Sequence, residues 1–156
     1  MGDEAPLDDV DRRVLTELQA DGRLTMAELG RRVGLSGPAI ADRVARLERD
    51  RVITGYRAEV DPRRVGLGLS TVIRVRPSPG QLQNVAELAR RTTEVVECRR
   101  VTGDDCYVMT AHVRDVDHLE RVIDRFTVLG STTTSVVQSS PVARRPLDVS
   151  PEDGEA

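Results

Sequence analysis

The chain has 156 residues, 26 of them acidic and 23 basic, with a formal net charge of −3; every basic residue is arginine, and the aromatics are two Tyr and one Phe. Three aromatics cannot build the stacking platforms on which single-stranded nucleic acids are held, chemistry that needs a lysine is excluded, and overall basicity of the histone kind is absent. Local concentration of charge stays open, because residues 1–22 carry seven acids and two Arg, 23–64 ten Arg and six acids, and 65–156 eleven Arg and thirteen acids.

Met1–Pro6 is polar and acidic, without the apolar stretch of a secretory leader, and reads as a disordered N-terminus. No apolar run approaches the roughly 18–20 residues of a membrane span, so a cytoplasmic protein without membrane contact is expected. Val10, Val14, Leu15 and Leu18 recur at helical spacing, with Asp8, Asp9 and Asp11 in the first turn, and Asp21-Gly22 ends that helix. Thr25-Met26-Ala27-Glu28 has the form of a capping box. It opens a short helix with Met26, Leu29 and Val33 inward, ending at Gly34. Ser36 caps a third helix with Pro38 in its first turn, where Ile40, Val44 and Leu47 share one face.

Two short capped helices joined by a turn around Gly34-Leu35 predict a helix-turn-helix over residues 7–53. Such a motif projects the N-terminal turn of its second helix into a major groove. Thr25, Ser36, Gly37, Pro38, Ala39, Asp42, Arg43 and Arg46 are the candidate DNA-binding residues. The small ones permit close approach, and a guanidinium at 43 or 46 can reach phosphate or a guanine edge. Arg31, Arg32 and Arg49 are candidates for flanking phosphates. A plain three-helix bundle with a solvated charged face would share the composition; the capped spacing favours duplex DNA.

Residues 54–68 read as a linker and hinge with a short strand at Tyr56–Val60. From Leu69 the period changes to that of strands. Leu69–Arg76 alternates, with Thr71, Ile73 and Val75 on one face and Val72, Arg74 and Arg76 on the other. Ser78-Pro79-Gly80-Gln81 reads as a helix start capped by Ser78. Val95–Thr102 and Cys106–Val113 are strands joined by a hairpin at Gly103-Asp104-Asp105. Asp115 caps a helix that ends near Phe126, and Thr132–Gln138 is a last strand. The order β-α-β-β-α-β predicts a ferredoxin-like domain over 69–145, followed by a disordered acidic tail, 146–156. The fold class is therefore α+β, a winged-type helix-turn-helix of three helices joined to that domain.

Two cysteines make neither a disulfide framework nor a zinc site. A two-residue turn at Gly103-Asp104 would pair Val101 with Cys106 and Cys98 with Met109, leaving the thiols on opposite faces; a three-residue loop would reverse that. Both are expected to be buried structural thiols. No cofactor, metal or enzymatic activity is expected.

The residues Leu7–Arg12, Leu18–Arg23, Glu28–Ser36, Arg43–Glu48 and Ile53–Tyr56, with Glu97-Cys98, Val101–Asp104 and Thr132–Thr134, resemble the Lrp/AsnC family of transcription regulators over about residues 7–145. The resemblance implies a sequence-specific DNA-binding transcription regulator that responds to an amino acid or related small effector at the interface of its C-terminal domain. It also implies a homodimer formed through the sheet, which in the family commonly assembles into an octamer. Gly103, Asp104, Asp105, Thr132 and Thr134 are the candidate effector-binding residues, since a zwitterion needs N–H donors for its carboxylate and an acid for its ammonium. Three positions depart from the family pattern. Cys106-Tyr107 stands where Asp-Tyr is usual, the Gly130–Thr132 loop is about two residues shorter, and Arg51 stands where Gly often ends the third helix. Two other readings stay open: an enzyme resembling the sirohaem decarboxylases of the same fold, using His112, and an effector-binding or assembly module that does not bind DNA.

Overall fold

In a computed structural model, which describes residues 7–150, the first apolar stripe forms helix α1 (Asp9–Ala20). Asp8 caps it. Its Oδ1 accepts from the Asp11 backbone N–H at 2.7 Å, and Asp11 Oδ2 accepts from the Asp8 N–H at 3.3 Å, a reciprocal box made by two aspartates. Helix α2 (Met26–Val33) starts at Thr25, whose Oγ1 accepts from the Glu28 N–H. The other half of the expected box is not formed. Glu28 instead binds Arg31 at 2.6 Å and Arg32 at 3.1 Å, since a charge-assisted bond outweighs one to a neutral N–H. Gly34 ends α2 in the left-handed conformation, φ +80°. Ser36 then caps α3 (Gly37–Arg49) by accepting from the Ala39 N–H.

The three helices enclose Val14, Leu15, Leu18, Leu29, Val33, Ile40, Val44 and Leu47. Each such side chain contributes about 1.5–3 kcal/mol by leaving water. Arg51, just past α3, holds φ +58°, so a non-glycine residue does occupy the left-handed position. The expected strand at Tyr56–Val60 does not form within the chain. Tyr56 donates to Glu48 Oε1 at 2.9 Å, and a short 3-10 turn, Pro62–Val65, follows.

The tail expected to be disordered from residue 146 is ordered through its described part. Leu147 exchanges two hydrogen bonds with the Gln19 side chain, and Val149 packs against the three-helix core. Composition argues for disorder because the stretch is acidic and short of apolar residues; one valine and the backbone contacts of two α1 side chains, Arg12 and Gln19, are enough to dock it on a preformed helix. The expectations for residues 1–6 and 151–156 lie outside the described residues.

The chain divides into two compact units, Glu59–Pro141 and one combining the residues up to Ala58 with those from Val142. The second half runs β1 (Leu69–Pro77), α4 (Leu82–Arg91), β2 (Val95–Arg100), β3 (Tyr107–Val113), α5 (Val116–Thr127) and β4 (Gly130–Val136). The sheet order is β2-β3-β1-β4, antiparallel throughout, as the ferredoxin-like arrangement requires. Ile73, Val75, Tyr107, Met109, Ala111 and Val113 face Val85, Ala89, Leu119, Val122 and Phe126 of the two helices.

Two boundaries differ from expectation. Helix α4 begins at Leu82, not at Ser78. The Gln81 N–H donates to the Ser78 carbonyl at 2.9 Å, and Gly80 at φ +81° makes Pro79-Gly80 the centre of a turn, not a first helical turn. Strand β4 begins at Gly130, two residues before the expected Thr132, and ends at Val136. A Cβ at Gly130 would lie 2.1 Å from the Arg76 carbonyl oxygen, so the missing side chain lets β4 close on β1.

The hairpin has the register expected of a two-residue turn. The Val101 N–H donates to the Cys106 carbonyl at 3.0 Å, and Cys98 pairs with Met109. Cys98 is nevertheless exposed and Cys106 half-buried; β2 is an edge strand, bulged between Val95 and Glu97, so nothing covers its outer side. Where β2 begins, Glu94 bonds His118 Nε2 at 2.9 Å and Arg125 at 3.2 Å. The Arg114 N–H donates to His118 Nδ1, which places the ring proton on Nε2, toward Glu94.

Candidate nucleic-acid interface and effector region

The crossing of α2 and α3 is set by Gly30. The Gly34 and Leu35 N–H groups both donate to its carbonyl, at 2.8 and 2.9 Å. A Cβ there would lie 2.6 Å from the Leu35 oxygen and 3.5 Å from Ile40. A residue without a side chain therefore closes the turn that aims α3. Along α3, Ile40, Val44 and Leu47 are buried, while Pro38, Ala41, Asp42, Ala45, Glu48 and Arg49 are exposed. The outward face is thus low in profile at Pro38, Ala41 and Ala45, which suits close approach to a groove. Gly37 and Ala39, by contrast, are half-buried at the base of the helix, and Thr25 and Ser36 spend their hydroxyl oxygens as helix caps.

Arg43 and Arg46 do not stand free on that outward face. Arg43 Nη1 lies 2.6 Å from Asp8 Oδ2 and 2.7 Å from Asp11 Oδ1, and Arg46 Nη2 lies 2.7 Å from both Asp11 oxygens. The side chain of Asp11 is only 2% exposed, against 27% for Arg43 and 42% for Arg46. Its bonds to Asp8, then to Asp11, push the Arg43 guanidinium above its usual value. The Asp11 N–H and then Arg43 hold the Asp8 carboxyl below its own. Arg31 and Arg32 are likewise engaged, by Glu28 and Glu17, and Arg31, the first cause, with Arg32 draws Glu28 down to about 2. Arg49 is in no ion pair among the described residues. Sequence reading missed these carboxylate partners, although Asp8 and Asp11 stand where helix capping draws acids.

The candidate effector residues separate into two groups. Gly103 and Asp104 are exposed at the hairpin tip, with Asp105 half-buried. Two β1 arginines hold this turn. Arg76 Nε donates to the Asp104 carbonyl and its Nη2 lies 3.0 Å from the Asp104 carboxylate, while Arg74 lies 3.8 Å from Asp105. Thr132 and Thr134 pair with Val75 and Ile73, so they share the helix-covered face of the sheet with those buried residues. Thr134 Oγ1 is buried without a hydrogen-bond partner. Arg74 and Arg76 alternate with Ile73 and Val75 and so take the opposite face. Their pairing with the hairpin acids is the part of the site that sequence reading left out. His112 lies on that face too, its Nδ1 2.9 Å from Ser70 Oγ. Among the described residues no cluster of His, Cys, Asp and Glu could hold a metal ion, and no helix is long and apolar enough to cross a membrane.

This architecture matches known proteins over nearly its whole length. Residues 7–48 match the AsnC-type helix-turn-helix domain and residues 70–147 the Lrp/AsnC ligand binding domain. An uncharacterized HTH-type transcriptional regulator of Bacillus subtilis, YezC, is 40% identical over 134 residues, covering 86% of this chain and 95% of its own. The structure of B. subtilis LrpC superimposes with a TM-score of 0.86 at 28% identity, over 90% of this chain and 100% of that one. The feast or famine regulatory protein of M. tuberculosis, complexed with L-methionine, superimposes with a TM-score of 0.84 at 34% identity, over 90% of this chain and 97% of that one. Two consecutive domain matches that together span both halves of the chain, and a relative at this identity, place the protein in the Lrp/AsnC family of transcriptional regulators.

Proposed function

We propose that the chain binds a pseudo-palindromic DNA duplex as a homodimer and alters transcription in response to an amino acid. The observation that carries the DNA reading is the α2–turn–α3 unit, with Gly30 closing the turn and a small-residue face along α3. Thr25, Ser36, Gly37, Pro38 and Ala39 lie where the N-terminal turns of the two helices meet the backbone, and Asp42 faces the bases. Arg43 and Arg46 act by exchanging Asp8 and Asp11 for phosphate or a guanine edge, an exchange between two charge-assisted partners. Dimerisation uses the sheet face that carries Val72, Val108, Thr110 and Thr133, opposite the helices, with octamers forming from those dimers.

The effector contacts are Gly103, Asp104 and Asp105, with Arg76 as carboxylate partner. Thr132 and Thr134 shape the strand beneath from its far face. The M. tuberculosis relative complexed with L-methionine makes that amino acid the first probe. The test is titration of duplexes from the chain's own gene neighbourhood at several salt concentrations, with and without L-methionine. Binding whose logarithm falls linearly with the logarithm of salt is expected; no binding at low salt would overturn the reading.

A further inference from the structure

The outward stripe of α1 is already occupied. Arg12, Thr16 and Gln19 follow one another at spacings of four and three, so they line a single face of the helix. The Gln19 side chain treats Leu147 as a neighbouring strand would. Its Nε2 donates to the Leu147 carbonyl at 3.0 Å, and its Oε1 accepts from the Leu147 N–H at 2.7 Å. About two turns earlier, Arg12 Nη1 donates to the Val149 carbonyl at 2.8 Å and to that of Ser150 at 3.4 Å. Between these two anchors the chain bends. Asp148 Oδ1 accepts from the Ser150 N–H at 3.0 Å, the self-bonding turn that aspartate favours, and Val149 turns toward the core while Leu147 stays 77% exposed.

We infer that α1 carries a peptide-docking surface whose occupant is the chain's own segment Leu147–Ser150. This surface links the effector-binding half to the arginines of α3. The segment leaves the Glu59–Pro141 unit through Pro141 and ends on the other unit, so the chain joins the two units a second time. Its anchor Arg12 is the residue next to Asp11, which holds Arg43 and Arg46. Because the grip is mostly on backbone atoms, the occupant is chosen by tethering, with Val149 as its one apolar key. A tethered segment acts at high effective concentration, which lets a few contacts suffice. Docked, the segment steadies α1, with which α2 and α3 share one core; released, it leaves α1 with one partner fewer and DNA binding weaker. The DNA part of this inference rests on the proposed function, whereas the docking does not.

The test uses the full chain and the charge-neutral variants Gln19→Ala, Val149→Ser and their combination; Val149→Ser leaves α1 untouched. Hydrogen exchange should show the Leu147 amide protected in the parent and at least about tenfold faster in the double variant. DNA affinity of the double variant should fall about fivefold with an unchanged salt slope. Exchange of the parent Leu147 amide at the rate of an unstructured chain would overturn the docking. A released segment with unaltered DNA affinity would overturn the link to α3. If the parent binds no DNA, the proposed function fails while the exchange result still decides the docking.

Discussion

Asp11 and Arg46 meet carboxylate to guanidinium at 2.7 Å, with the acid 2% exposed and the arginine 42% exposed. The acid on α1 therefore determines where this arginine of α3 rests. Burying a carboxylate is costly unless it is paired, and Asp11 is paired twice. Asp11→Ala is expected to destabilise the helix-turn-helix unit by about 2–3 kcal/mol. The value stays at the lower end because Arg46 can return to water. A urea titration followed by circular dichroism checks this, and an unchanged midpoint would contradict it.

Asp8 holds Arg43 in the contact that a DNA phosphate would replace under the proposed function. It is half-exposed and 2.6 Å from the guanidinium, and it also caps α1. Asn caps about as well as Asp, so Asp8→Asn keeps the helix start and removes the competing charge. DNA affinity at low salt is expected to rise about threefold. Weaker binding, measured by fluorescence anisotropy, would mean that Asp8 serves DNA binding in another way.

Arg51 stores strain that a glycine would not. With φ at +58°, a residue bearing a Cβ costs about 1 kcal/mol more than glycine. Arg51→Gly should therefore raise stability by up to about 1 kcal/mol, less the entropy that glycine adds to the unfolded chain. Thermal melts compare the two proteins; a lower Tm would show that the arginine side chain contributes more than the strain takes away.

Gly30→Ala should do the reverse. The new methyl meets the Leu35 carbonyl oxygen at 2.6 Å, a backbone atom that cannot move without opening the turn. A loss of about 1–3 kcal/mol is expected, with DNA binding lost and the oligomer mass unchanged, because the Glu59–Pro141 unit has its own core. Gel shift and light scattering read the two effects separately.

Glu94 makes the second unit sensitive to acid. Its bond to His118 comes first among the causes, with Arg125 helping, and its pKa falls from 4.5 to about 2. A depressed carboxylate pKa gives stability that is full above the unfolded value and is lost as pH falls through the folded one. The unit should hold its full stability above about pH 4.5 and lose this contribution between there and about 2. Glu94→Gln should flatten that part of a urea-midpoint profile against pH; an unaltered profile would remove Glu94 from the account.

Much of this protein was written locally. The caps at Asp8, Thr25, Ser36 and Asp115, the left-handed Gly34, the apolar periods and the hairpin loop around Gly103-Asp104 depend on neighbours within a few residues. The sequence alone therefore determined the helix-turn-helix and the β-α-β-β-α-β order, whereas the pairing of Cys98 with Met109 came from the strand register. What it could not carry were partners far apart along the chain. Asp11 meets Arg43 and Arg46 across 32 and 35 residues, Arg76 meets Asp104 across 28, and Gln19 meets Leu147 across 128. A charged side chain on a helix face reads as solvated until the tertiary fold brings an opposite charge to it. A polar tail reads as disordered until a preformed helix offers it two anchors. Only the packed structure decided that the arginines of α3 are held by α1, that Thr132 and Thr134 lie across the sheet from Arg74 and Arg76, and that the segment after Pro146 folds back on the first helix. Those contacts depend on distances that no periodicity records.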